Sequence, residues 1–217
     1  MSFERIARRL RPVLEERWGT EFADRVLADA RGEYPEVAAR IPDIGGWRNV
    51  FTPVLVINGW MIALHLAMKR NGRSAEDTIG VSFAVSDRLF RSIPGAVLKL
   101  MGRSAFTSPV RRFFRRQAAR SQARQYPADF VYRVEESADG EMSLVFSECA
   151  VNKMYDAQGL TDLKPYCNFF DVTYSRLMGM GVDAHETIGV GCERCALRFK
   201  HGRATEIPTQ LQSIIRD

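Results

Sequence analysis

Four cysteines, Cys149, Cys167, Cys192 and Cys195, fall in one stretch of the chain together with Asp171, His185 and Glu186, and no cysteine precedes them. A cysteine thiolate is a strong nucleophile and a soft metal ligand, and a nearby carboxylate or imidazole can move the proton that either chemistry requires. Cys192-Glu193-Arg194-Cys195 is a C-x-x-C, but a redox pair draws its reactivity from a strand-to-helix turn in a βαβ unit, which this sequence lacks. A four-thiolate zinc site expects a second closely spaced pair, whereas 17 residues separate Cys149 from Cys167. Nucleophilic or acid–base chemistry is less demanding of spacing. Cys167 and Asp171 are four residues apart, so a helix beginning at C-N-F-F-D would place both on one face. His185 could serve as a base or a metal ligand, or simply be a hydrogen-bonded surface histidine. Isolated cysteines are also common as plain core residues.

The elements that must position these groups can be read from periodicity. Residues 3 to 18 carry Phe3, Ile6, Leu10, Val13 and Leu14 at helical spacing, with Pro12 kinking or dividing the segment. A second amphipathic helix runs from about Glu21 to Arg40, with Thr20 as its cap. Thr52 to Lys69 is apolar nearly all round and approaches membrane-spanning length, but Pro53, Asn58, Gly59 and His65 predict a buried core helix, with His65 satisfied inside it. Ser74 and Asp77 form a capping-box pattern that opens a helix reaching toward Pro94, and a short helical piece, A-V-L-K-L-M, follows Gly95. Ser108-Pro109 starts a further helix, on which Arg112, Arg116, Arg120 and Arg124 recur every fourth residue beside Arg111 and Arg115. That stripe reads either as a cradle for an anionic ligand or as a solvated face.

From Pro127 the pattern alternates. F-V-Y-R-V-E-E-S and M-S-L-V-F-S-E-C-A-V form a hairpin about Asp139-Gly140. A short helix over about Asn152 to Gln158, a loop and helix through Cys167 and Asp171, and two strands, about Ala184 to Val190 and Arg194 to Lys200, complete the chain. The expected fold is α+β, a helical N-terminal half packed on a small antiparallel sheet formed by the C-terminal half. One domain spans 1–217, mainly helical over 1–126, with strands and short helices carrying the Cys/Asp site over 127–217.

The chain has 217 residues and a net charge of +5, and its 46% hydrophobic and 26% charged residues exclude disorder and low complexity. Ten basic residues and no acidic one lie between Arg88 and Ala128, so the basic character is local and the remainder is net negative. The N-terminus lacks a secretory h-region, and four cysteines are too few for a disulfide scaffold, so reduced thiols in the cytoplasm are expected. No P-loop, G-x-G-x-x-G or nucleic-acid motif is present. A small-molecule substrate is the expected partner, with no nucleic acid and no transmembrane segment, and a homo-oligomer is left open.

The order F-S-E-C-A-V-N-K-M-Y-x-x-x-G-L-x-D-L-x-P-Y-C-x-x-x-D, from Phe146 to Asp171, followed by T-I-G-V-G-x-x-x-C-A-L-R-F, from Thr187 to Phe199, resembles the L-2-amino-thiazoline-4-carboxylic acid hydrolase family. The resemblance covers the C-terminal third closely and the helical half in general pattern. It places Cys149, Cys167, Asp171 and Cys195 on the family's recurrent cysteine and aspartate positions, frames the last strand with Thr187 and Gly191, and leaves Cys192 outside the pattern. Ala196-Leu197 stand where the family has an aspartate and an aromatic residue, and His185 where a basic residue, often arginine, is expected. The implied chemistry is hydrolytic opening of a small sulfur heterocycle at an amidine-like carbon, with Asp171 as acid/base. Cys167 or Cys195 would act as nucleophile, or with Cys149 as ligand to a water-activating metal, zinc being the candidate ion. A non-enzymatic protein binding a soft metal or small ligand through the same cysteines is the alternative.

Overall fold

Helical periodicity dominates the first half of the computed structural model, which describes residues 3–215. Among the described residues the chain forms eight α-helices and one four-stranded antiparallel sheet, an α+β fold with the sheet in the C-terminal half. Helix α1 (Phe3–Trp18) turns its Phe3, Ala7, Leu10, Val13 and Leu14 face inward. It continues through Pro12 because Pro12 and Arg8, whose carbonyl loses its helical partner there, both lie on the solvent side. Helix α2 (Thr20–Ala39) is capped by Gly19 rather than by Thr20, which is its first residue.

Helix α3 (Thr52–Arg70) is the centre of the core, packed against α2, against α4 (Ala75–Arg91) and against α7 (Ala150–Ala157). By length and composition alone α3 could cross a bilayer. Its polar side chains find partners inside the fold, as buried polar groups must. Asn58 donates to the Val54 carbonyl at 2.8 Å and accepts from the buried Tyr155 hydroxyl of α7. His65, fully buried, meets Thr78 Oγ1 and Asp162 Oδ2, each at 3.2 Å, and burial lowers its pKa. The capping box of Ser74 and Asp77 opens α4 as the sequence predicts.

Helix α5 (Gly95–Ser104) runs beyond the expected A-V-L-K-L-M at both ends, and α6 (Ser108–Ser121) has Thr107, not Ser108, at its N-cap. Because α6 stops at Ser121, Arg124 leaves the arginine stripe: it lies beyond the helix with φ +49° and pairs with Glu148.

The hairpin forms as read, with β1 (Val131–Glu136) and β2 (Met142–Glu148) joined through Asp139-Gly140. The sheet order is β1-β2-β4-β3, where β4 is Cys195–Phe199 and β3 only Val182–Asp183. The outer edge of β1 is closed by α6, with Tyr132 N–H donating to Ser121 Oγ and its carbonyl accepting from Gln122, which leaves fewer backbone groups open to another chain. The expected strand over 184–190 does not form. Ala196 N–H donates to the Glu186 carbonyl at 2.8 Å, but beyond that point the chain turns inward as a 3-10 turn over Ile188–Val190. The turn lies on a second 3-10 turn, Thr161–Tyr166, and a Cβ at Gly189 would sit 2.0 Å from the Lys164 carbonyl oxygen. This close packing of the two turns, which leaves no room for a side chain at Gly189, replaces strand pairing.

Candidate active site

Four element ends meet at one small cavity. Strand β2 stops at Glu148, and Cys149, still extended at φ −116° and ψ 113°, is the N-cap residue of α7. Strand β4 begins at Cys195, directly opposite Phe146 of β2. Cys167 closes the 3-10 turn over Thr161–Tyr166, and one residue later Asn168 caps α8 (Phe169–Met178), which carries Asp171 in its first turn. Cys149, Cys167, Asp171 and Cys195 therefore line a single cavity of about 80 Å³ with Asn168 and Thr187. That suits a small metabolite, well under the roughly 300 Å³ and above of sites for drug-sized ligands. Cys167 precedes α8 rather than sharing a helix face with Asp171, so their meeting depends on the turn and not on four-residue spacing.

The far wall is aromatic. Phe51 lies 4.8 Å from Phe130 and 5.7 Å from Phe146, ring centre to ring centre, and all three border the cavity. An apolar wall keeps the local dielectric low, which strengthens every charge interaction inside.

The three thiols have different environments. Cys149 has its pKa lowered to about 7: the Cys195 thiol faces it as a donor, and the amides of Val151 and Asn152 at the start of α7, with the Asn152 side chain, also favour the thiolate against the cost of burial. Cys195 is pushed up by donating toward Cys149 and by burial, while its own sulfur accepts the Ile188 N–H at 3.2 Å. Burial and the neighbouring Cys149 push Cys167 up as well, although Asn152 Nδ2 lies 3.7 Å from its sulfur. Asp171 is raised to about 6 by burial, which the hydrogen bond from the Tyr174 hydroxyl, at 2.9 Å, offsets only in part.

Three further polar atoms around the thiols have no hydrogen-bond partner among the described residues: Asn152 Oδ1, Asn168 Oδ1 and Thr187 Oγ1. All three residues are at most 3% exposed. Asn168 is held by donating from Nδ2 to the Ala184 carbonyl at 2.7 Å, which fixes its oxygen as the free acceptor. The Thr187 hydroxyl lies near enough to Cys167 to favour a thiolate there without making a hydrogen bond of ordinary geometry. Buried acceptors left open in this way each cost on the order of 1–3 kcal/mol, and a ligand bearing N–H groups recovers it. The asparagines escape sequence reading because nothing distinguishes them from capping or loop residues until the fold buries them. Gly189 is missed likewise: a Cβ there would meet Cys167 Sγ at 2.9 Å.

His185 does not reach the cavity. It is exposed, with Nδ1 2.9 Å from Asp183 Oδ1 and 3.7 Å from Glu206 Oε2, and Asp183 is also engaged by Arg198 at 3.3 Å. Its proximity to the cysteines in sequence is undone by the β3 end, which carries it outward. Cys192 sits in the loop before β4 and does not line the cavity either.

Among the described residues, Asp183, His185 and Glu206 form a group of potential metal ligands at the surface, their ligand atoms within 4.8 Å of one another.

The sequence profile of the L-2-amino-thiazoline-4-carboxylic acid hydrolase family matches residues 59–199. No curated protein and no solved structure matches the chain significantly. The family match runs from within α3 to the last residue of β4, extending the likeness well into the helical half and taking in every residue of the thiol–carboxylate cluster. The chain belongs to the L-2-amino-thiazoline-4-carboxylic acid hydrolase family.

Proposed function

We propose that the protein is a cysteine-dependent hydrolase that opens a small thiazoline-like ring at its amidine carbon, with Cys149 as nucleophile and Asp171 as general acid and base. The observation that carries this reading is the opposed setting of two groups in one cavity, a thiol at a helix N-terminus that favours its anion and a buried carboxyl that favours its acid. Environments that push two titratable groups toward opposite protonation states suit nucleophile and proton donor. This supports Cys149 over Cys167 and Cys195, whose settings favour the neutral thiol.

In the first step Cys149 Sγ attacks the amidine carbon and the ring C–S bond breaks. Asp171 gives its proton to the departing sulfur, leaving an isothiourea joined to Cys149. In the second step the Asp171 carboxylate takes a proton from water as its oxygen adds to the same carbon. The Cys149–carbon bond then breaks, the thiolate returns, and a urea is released. The open acceptors of Asn168 and Thr187, which line the cavity, suit the substrate's amidine N–H groups, holding the carbon over the thiolate.

The test is turnover of 2-amino-thiazoline-4-carboxylate, followed by release of free thiol, with Asp171→Asn and Cys149→Ser. Each variant should lose about 10²- to 10⁴-fold in kcat. A Cys149→Ser protein of wild-type rate would remove the nucleophile. Ligand binding without turnover in the wild type, retained in Asp171→Asn, would make the protein a binding module.

A further inference from the structure

Apolar exposure and unpaired charge are both concentrated on the consecutive helices α5 and α6. Five of the seven large hydrophobic side chains exposed among the described residues, Leu89, Val97, Leu100, Met101 and Phe113, belong to α4, α5 and α6, so exposed apolar area is concentrated rather than scattered. On α5, Val97, Leu100 and Met101 share one helix face at i, i+3 and i+4, and Leu100 is 68% exposed. The helix is seated on its other side, where Leu98 and Gly102 are buried. Gly102 lies so close to α8 that a Cβ would be 2.1 Å from the Met178 carbonyl oxygen. That contact holds α5 against the body while its apolar face points out.

The basic residues of the same stretch divide into two sets. Arg111 and Arg115 share Glu136, and Arg124 shares Glu148 with Lys153. Lys99, Arg103, Arg112, Arg116 and Arg120 are exposed and make no ion pair among the described residues. Arg112, Arg116 and Arg120 follow one face of α6, with Phe113 beside them and Ala118 turned inward. No acidic residue occurs anywhere from Arg88 to Ala128 to offset them.

We propose that the surface formed by α5 and α6 docks the protein on a bilayer containing anionic phospholipid, α5 placing Leu100 and Met101 among the acyl chains and α6 lying over the headgroups. Exposed apolar side chains flanked by unpaired cations are what an interfacial helix needs, since burial and attraction to anionic lipid add. A nucleic-acid backbone would use the arginines but leave Val97, Leu100 and Met101 in water, and a protein dimer would use the apolar face but leave the cations unanswered.

The test is co-sedimentation of the full chain with vesicles of pure phosphatidylcholine and of phosphatidylcholine containing roughly one-third phosphatidylglycerol. Binding should require the anionic lipid and fall steeply between roughly 0.1 M and 0.5 M salt. Arg112→Gln/Arg116→Gln/Arg120→Gln should weaken it about a hundred-fold, from roughly five-fold per basic residue. Leu100→Ser/Met101→Ser should weaken it at least ten-fold, with circular dichroism of both variants unchanged. Equal binding to both vesicle types, wild-type binding by either variant, or tighter binding to a DNA duplex than to the anionic vesicles would overturn the proposal. So would a dimer in solution that disappears with Leu100→Ser/Met101→Ser.

Discussion

Replacing Asp171 by asparagine should stabilise the protein while abolishing its chemistry, and the size of the gain should depend on pH. Burial raises the Asp171 carboxyl from 3.8 to about 6, so between those values the folded state binds more protons than the unfolded state. Stability therefore falls as pH rises through that window, by about 1.4 kcal/mol for each pH unit crossed. The full cost of holding the carboxylate ionised in the cavity is about 3 kcal/mol at pH 8, and about 1 kcal/mol of it is already present at pH 4.5. Asparagine has no charge to desolvate and its oxygen can still accept from the Tyr174 hydroxyl. Urea denaturation of the wild type and Asp171→Asn at both pH values isolates the effect, because every other titration cancels between the two proteins. The expected gain at pH 8 corresponds to a rise in Tm of about 6–12 °C for a chain of this size. A difference between the two proteins that does not change with pH, or a variant less stable than the wild type at pH 8, would refute the assignment of Asp171 as a desolvated acid without a countercharge.

Alkylation by iodoacetamide, mapped by mass spectrometry, should proceed at Cys149 with a midpoint near pH 7, while Cys167 and Cys195 react last; uniform reactivity would contradict the distinct thiol environments. Thr187→Val deletes an orphaned hydroxyl at nearly constant volume, so it should stabilise the fold by about 1 kcal/mol while raising KM more than it lowers kcat, a pattern that a purely structural threonine would not give. Gly189→Ala forces a Cβ onto the Lys164 carbonyl and the Cys167 sulfur and should cost about 3 kcal/mol or more in urea denaturation, with turnover falling in the fraction that stays folded.

Where local pattern decides local structure, the sequence alone was sufficient. Helical spacing set α1 to α6, Ser74 and Asp77 capped α4, and Asp139-Gly140 made the hairpin, because each depends on neighbours a few residues away. The Phe146-to-Asp171 and Thr187-to-Phe199 motifs likewise marked out the cysteines and the aspartate that share the cavity. Sequence proximity misled at His185, and spacing misled over 184–190, because outward or inward direction is set by what the segment packs against. A strand needs a partner along its length, and here the Gly189 backbone finds the Lys164 carbonyl instead. Tertiary structure alone brought Asn152, Asn168 and Thr187 around the thiols and separated three chemically identical cysteines by their surroundings. Burial, hydrogen-bond donors and convergence in space arise between elements distant in the chain, so no window of sequence contains them.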